Sequence, residues 1–194
     1  MRFLLLAFAA VLPTAALAHT GAGDTSGFSH GFLHPLGGAD HLLAMVAVGL
    51  FAAHLRGRAL WLVPGAFVVM MAAGGALGAA GVGVPHVETG IALSVMVLGA
   101  AIAGGLSVPT AVAMTLAGFF AIFHGHAHGA ELPPGSDAVA YSVGFVVATG
   151  MLHVCGILCG LAHRSRLGAR ALRLAGTMIA SGGCYFLVAH FAGA

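Results

Sequence analysis

Three short segments carry side chains of the kind that bind metal ions. The first is His34-Pro35-Leu36-Gly37-Gly38-Ala39-Asp40-His41. The second is Phe123-His124-Gly125-His126-Ala127-His128-Gly129-Ala130-Glu131, and the third is Pro85-His86-Val87-Glu88. The chain holds twelve histidines, as many as its seven arginines and five acids combined. Imidazole suits nickel, copper, zinc and iron, whereas carboxylate alone favours harder ions. A mixed set neutralises part of a divalent charge and still lets the ion go, where an all-thiolate set would hold it too tightly. Such groups are needed wherever a cation must shed water before entering a medium of low dielectric.

Spacing refines the three segments. In the first, proline and two glycines predict a tight, non-helical approach to an apolar run. Asp40 reads as the N-cap of the helix that follows. His41 then falls in the first turn, His34 folds back towards it, and Met45 lies one turn below His41 on the same face. In the second segment His124 and His128 stand at i, i+4, and His128 and Glu131 at i, i+3, so one helix face presents all three. His126 points away if the helix continues. Glu88 stands against an apolar helix, where a carboxylate is a functional candidate. His34, Asp40, His41, Glu88, His124, His128 and Glu131 are therefore the principal metal candidates, with His19, His30, His86 and His126 secondary.

Each group also has a plainer role open to it. Asp40 can serve only as a cap. His34 and His41 can be interfacial side chains, and the 124–128 run a solvated loop that buffers metal. Glu88 can be a solvated end charge. What favours the joint reading is that all of them map to one membrane face. Met151, Cys155, Cys159 and His163 recur every four residues along a later apolar run. This soft-ligand stripe is either an exit path for the ion or ordinary core packing.

The elements that must position these groups are membrane helices. The chain has 194 residues, 60% hydrophobic and 6% charged, with mean hydropathy +1.05. Soluble domains carry about 25% charged residues, and charge is costly in hydrocarbon, so this composition specifies an all-α, polytopic membrane protein. Residues 1–18 read as a cleavable signal peptide, with Arg2, an apolar core and Ala16-Leu17-Ala18, so the mature chain begins at His19. There His19 offers both its amine and its ring to a metal. Thr20 to Ser29 reads as a flexible polar lead-in. Six apolar runs follow, at 39–55, 60–80, 88–105, 108–124, 138–162 and 170–192, forming a single permease-like domain over 19–194. Continuous apolarity, without strand-like alternation, favours helices over a barrel. With a periplasmic N-terminus, Arg56, Arg58, Arg164, Arg166, Arg170 and Arg173 all fall on the cytoplasmic side, as the positive-inside bias requires, and the C-terminus is periplasmic. The acids and most histidines then fall outside. Six spans also permit a 3+3 inverted repeat.

The two histidine motifs resemble those of the HupE/UreJ family of nickel permeases, which are accessory to hydrogenases and ureases. The likeness rests on His34-Pro35-x-x-Gly38-x-Asp40-His41, running on into Leu42-Leu43-Ala44-Met45, and on Phe123-His124-Gly125-x-Ala127-His128-Gly129-x-Glu131. It extends over the leader and the six spans. The resemblance implies permeation of nickel, or of cobalt or copper on the same architecture, with His34, Asp40, His41, His128 and Glu131 handling the ion. His124 matches the second motif, while His126 fills a variable position.

Other classes fit less well. There is no HExxH motif and no nucleophile beside the outer histidines, so an enzyme is not expected. CxxCH is absent and no prosthetic group is expected. Cys155, Cys159 and Cys184 form no disulfide framework. The small net charge of +2 with scattered arginines does not suit nucleic acid. No P-loop is present and no ATPase subunit is evident. The partners implied are a divalent metal ion and the lipid bilayer, with no indication of oligomeric state. A metal sensor or buffer that binds without transporting remains the alternative.

Overall fold

The computed structural model describes residues 27–132, 135–162 and 166–193, and every element within them is an α-helix. The predicted leader, His19 and His163 lie outside the described residues. The helices are α1 (Phe28–Gly37), α2 (Ala39–Leu55), α3 (Ala59–Ala79), α4 (Val87–Gly104), α5 (Thr110–Ala130), α6 (Ala138–Leu161) and α7 (Arg166–Ala192). Five of these helices are long and apolar enough to cross a bilayer. They are Ala59–Ala79, Val87–Gly104, Thr110–Ala130, Ala138–Leu161 and Leu167–Ala192, and α1 with α2 makes a sixth candidate bent by 87°. The chain is an integral membrane protein of five to six spans.

Three local expectations change. Residues 34–37 do not form an irregular approach, and Phe28 and Ser29 are no part of a flexible lead-in. All are helical, with Pro35 inside α1 and the break confined to Gly38, whose backbone is extended at φ −100°, ψ 121°. Proline removes one helical hydrogen bond, but packing outweighs that loss. Gly31 of α1 lies against the Tyr141 carbonyl of α6, and Gly144 of α6 against the Phe28 carbonyl. Nor is Asp40 the cap of α2. That position falls to Gly38, whose carbonyl accepts from Leu42 N–H at 3.0 Å. A true side-chain cap opens α6, where Asp137 accepts from the amides of Val139 and Ala140, each at 3.0 Å.

Three further helix pairs approach until backbone meets backbone. A Cβ added at Gly74 or Gly78 of α3, or at Gly125 or Gly129 of α5, would collide with the partner's main chain. Gly49 and Gly156 bring α2 and α6 together in the same way, and Gly99 and Gly176 do so for α4 and α7. Small residues let membrane helices pack closely where no hydrophobic force separates protein from lipid. Exchanging α2, α3 and α4 for α5, α6 and α7 turns the α3–α5 pair into α6–α2 and returns α4–α7 to itself, as a 3+3 inverted repeat requires. The contacts of α2 with α3 and with α4, however, are matched by no comparable contact of α5 with α6 or with α7 among the described residues.

Apolar side chains fill the inside and also coat the outside. Met45, Phe51, Phe67, Met71, Leu98 and Ile102 are buried in the core, while Trp61, Val69, Leu167, Leu174 and Phe191 face outwards. The 87° bend at Gly38 then carries α1 across the end of the bundle at which α5 finishes and α6 begins.

Candidate metal site

That bend brings His34 of α1 over the end of α5. His34 Nε2 lies 3.4 Å from Glu131 Oε2, and the His34 and His128 rings are 4.6 Å apart. One ligand atom from each of His34, His128 and Glu131 falls within 4.8 Å of the others, a spread that one ion can draw together. His34 is half-buried and Glu131 exposed, so this outer group is open to water. Burial pushes the His34 imidazole below its ordinary pKa, and the Glu131 carboxylate pulls in the opposite direction.

Behind it lies a second group. The first turn of α2 holds Asp40 and His41, and i, i+4 spacing on α5 turns His124 and His128 to the same side. The His41 ring lies 4.3 Å from that of His128 and 4.6 Å from that of His124. Asp40 Oδ1 accepts from the His41 backbone N–H at 2.8 Å and lies 3.1 Å from His41 Nδ1. A carboxylate can only accept, so Nδ1 carries the proton and, in the neutral ring, Nε2 keeps its lone pair. Among the described residues, His41 Nε2 is buried with no hydrogen-bond partner.

His124 is oriented by a residue that sequence reading missed. Ser94 of α4 donates its hydroxyl to the Ile91 carbonyl at 2.6 Å. Having one proton, it can only accept from His124 Nε2, which lies 2.7 Å away. His124 therefore holds its proton on Nε2, and Nδ1 is left bare and buried, with no partner among the described residues. Nor does either ring nitrogen of His128 have a partner among the described residues. His34, His128, His41 and His124 thus form a file of imidazoles leading inwards from Glu131.

The remaining candidates are placed elsewhere. Glu88 is exposed in the first turn of α4, and among the described residues no hydrogen bond or ion pair joins it to the histidines. His86, in a left-handed conformation at φ 58°, caps that helix and is exposed. His126 does face away from the file, and its Nε2–H is donated to the Val82 carbonyl at 2.8 Å, tying α5 to the α3–α4 loop. His30 stands beside the outer group, its ring 5.9 Å from His34 and 5.8 Å from Tyr141. Met151, Cys155 and Cys159 lie exposed on the outward side of α6, away from the file.

Besides Ser94, sequence reading passed over Tyr141, Phe67 and His153. Tyr141 packs on His34 at 5.9 Å between ring centres. Phe67 touches both His124, at 5.7 Å, and His153, at 5.2 Å. The available signal was a polar residue inside an apolar run, which fits Ser94 and His153 alike.

The sequence pattern of the family described as HupE / UreJ protein matches residues 6–186. Protein HupE of Rhizobium leguminosarum bv. viciae is 47% identical over 180 residues, covering 93% of this chain and 94% of its own length. No solved structure matches the chain.

Proposed function

Because the chain belongs to the HupE/UreJ protein family, we propose that it is an inner-membrane permease carrying a divalent transition metal, nickel first, from periplasm to cytoplasm. The observation that supports this best is the file of imidazoles running from half-buried His34 to fully buried His124. A buried polar atom without a partner costs about 1–3 kcal/mol. A fold that keeps four such nitrogens in succession, on His41, His124 and His128, holds them for a ligand.

The ion is captured at the water-exposed His34–His128–Glu131 group, where the carboxylate offsets part of its charge. It then moves to His41 and His124, whose lone pairs are presented by Asp40 and Ser94. Glu88, at the same end of the bundle, draws cations towards the mouth. Imidazole with carboxylate suits nickel, cobalt and copper alike. The resemblance to nickel permeases puts nickel ahead.

Orientation follows from charge. Arg56 and Arg58 lie in the α2–α3 turn, and Arg170 and Arg173 near the start of α7, at the end of the bundle opposite the imidazole file. The positive-inside bias makes that end cytoplasmic. An inside-negative potential then favours inward movement of a divalent ion by about 4.6 kcal/mol per 100 mV. This corresponds to roughly 2,000-fold accumulation without a coupling ion.

Reconstituted in proteoliposomes under such a potential, the native chain should accumulate radioactive nickel. His41→Ala and His128→Ala should not. Nickel that is bound but never crosses would mark a sensor or buffer instead.

A further inference from the structure

Deeper in the bundle lies a histidine that the outer site does not use. His153 is 2% exposed, and neither of its ring nitrogens has a hydrogen-bond partner among the described residues. It sits fifteen residues into α6, about 22 Å along the helix from its first residue. An apolar residue of similar size would fill this place without leaving polar atoms unpaired. The neighbours on its own face, Thr149 and Gly156, are buried, whereas Met151 and Cys155 on the other side are exposed. So the ring points into the bundle.

Its position continues the file. The Phe67 ring meets His124 on one side and His153 on the other, with centroids 5.7 Å and 5.2 Å away. One turn nearer the histidine end, Thr149 donates its hydroxyl to Met71 Sδ at 3.9 Å, so Thr149 needs nothing from His153. Among the described residues no acid lies in this inner stretch: Asp40, Glu88, Glu131 and Asp137 all flank the outer ends of the spans. A lone neutral donor binds a cation weakly, and a conducting path needs sites weak enough to leave.

We propose that His153 is a second, inward station for the metal ion, reached from His124 past the Phe67 ring and emptied towards the cytoplasm. This rests on the permease reading above. The outer group sets capture, and His153 sets how fast a captured ion proceeds.

The test is nickel(II) uptake into proteoliposomes by the native chain, His153→Leu and His153→Gln, with equilibrium nickel binding measured on each in detergent. Leucine fills the space without a donor, while glutamine keeps a lone-pair oxygen near the place of Nε2. We expect His153→Leu to bind nickel as the native chain does, at unchanged KM, with maximal uptake about tenfold lower. His153→Gln should recover most of that loss. Native-level uptake by the leucine variant, or equal uptake by both variants, overturns the proposal, since a packing role makes no distinction between donor and hydrocarbon. A native chain that moves no nickel removes the permease reading, and this inference falls with it.

Discussion

Ser94 Oγ accepts from His124 Nε2 across 2.7 Å, and it does so because its own proton is committed to the Ile91 carbonyl 2.6 Å away. A serine on α4 thereby decides which nitrogen of a histidine on α5 is free. Groups that orient a metal ligand through its second nitrogen are worth about 10–100-fold in affinity. Ser94→Ala should therefore weaken nickel binding about tenfold by titration calorimetry. It also leaves a buried N–H unpaired and should lower the thermal midpoint. Ser94→Thr restores the hydroxyl and should recover the affinity. Equal affinity for Ser94→Ala and the native chain would remove the orienting role.

Asp40 does for His41 what Ser94 does for His124, with a negative charge added. Asp40→Asn keeps an oxygen that can accept from the His41 amide and ring, but it loses the charge. Asp40→Ala loses both. Nickel affinity should therefore fall in two steps, with Asn intermediate and Ala lowest. If the two variants bind alike, only the charge matters.

The histidines on α5 are placed by glycine contact with α3. A Cβ at Gly125 would overlap the Met71 carbonyl, whereas a Cβ at Gly150 of α6 meets nothing within 4 Å. Gly125→Ala must push α3 and α5 apart, at a cost of roughly 1–3 kcal/mol, and it displaces His124 and His128 together. It should lower both the thermal midpoint and uptake. Gly150→Ala should change neither.

The soft-ligand stripe on α6 gives a contrasting expectation. Met151 and Cys155 are exposed on the outward side of the helix. Met151→Leu with Cys155→Ser should leave nickel uptake within about twofold of native, the range ordinary for exposed substitutions. A larger fall would return that face to the ion's path.

How much of this was legible in the sequence depends on the range of the signal. The pairing of His124 with His128 is set by helix periodicity alone, and so is the outward turn of His126. The spans follow from apolar length. What local pattern could not carry was decided by distant partners. The α1 helix persists through Pro35 because α6 packs on Gly31. Asp40 looked like a cap by residue type, yet its carboxylate turned to the neighbouring imidazole. Ser94 acquires its role only because α5 lies beside it, thirty residues further along the chain. The stripe from Met151 drifts around its helix, and only the packing of α6 against α2 decides that His153 faces in while Cys155 faces out.

Proton and metal compete for the same imidazole lone pairs, so uptake must depend on pH in a direction the outer site fixes. Burial holds the His34 pKa below the ~6.5 of a free imidazole. A lowered pKa keeps the ring neutral, and able to bind, to lower pH than in solution. Nickel affinity should therefore be flat above neutrality and fall only as pH passes below the ordinary histidine range. Glu131 works against burial by favouring the protonated ring. Removing its charge in Glu131→Gln should move the onset of that fall to still lower pH, even as affinity drops at every pH for want of the carboxylate. Binding titrations of both forms between about pH 5 and 8 separate the two effects. A native profile that already falls at or above the ordinary histidine range would mean that burial does not hold this ring neutral.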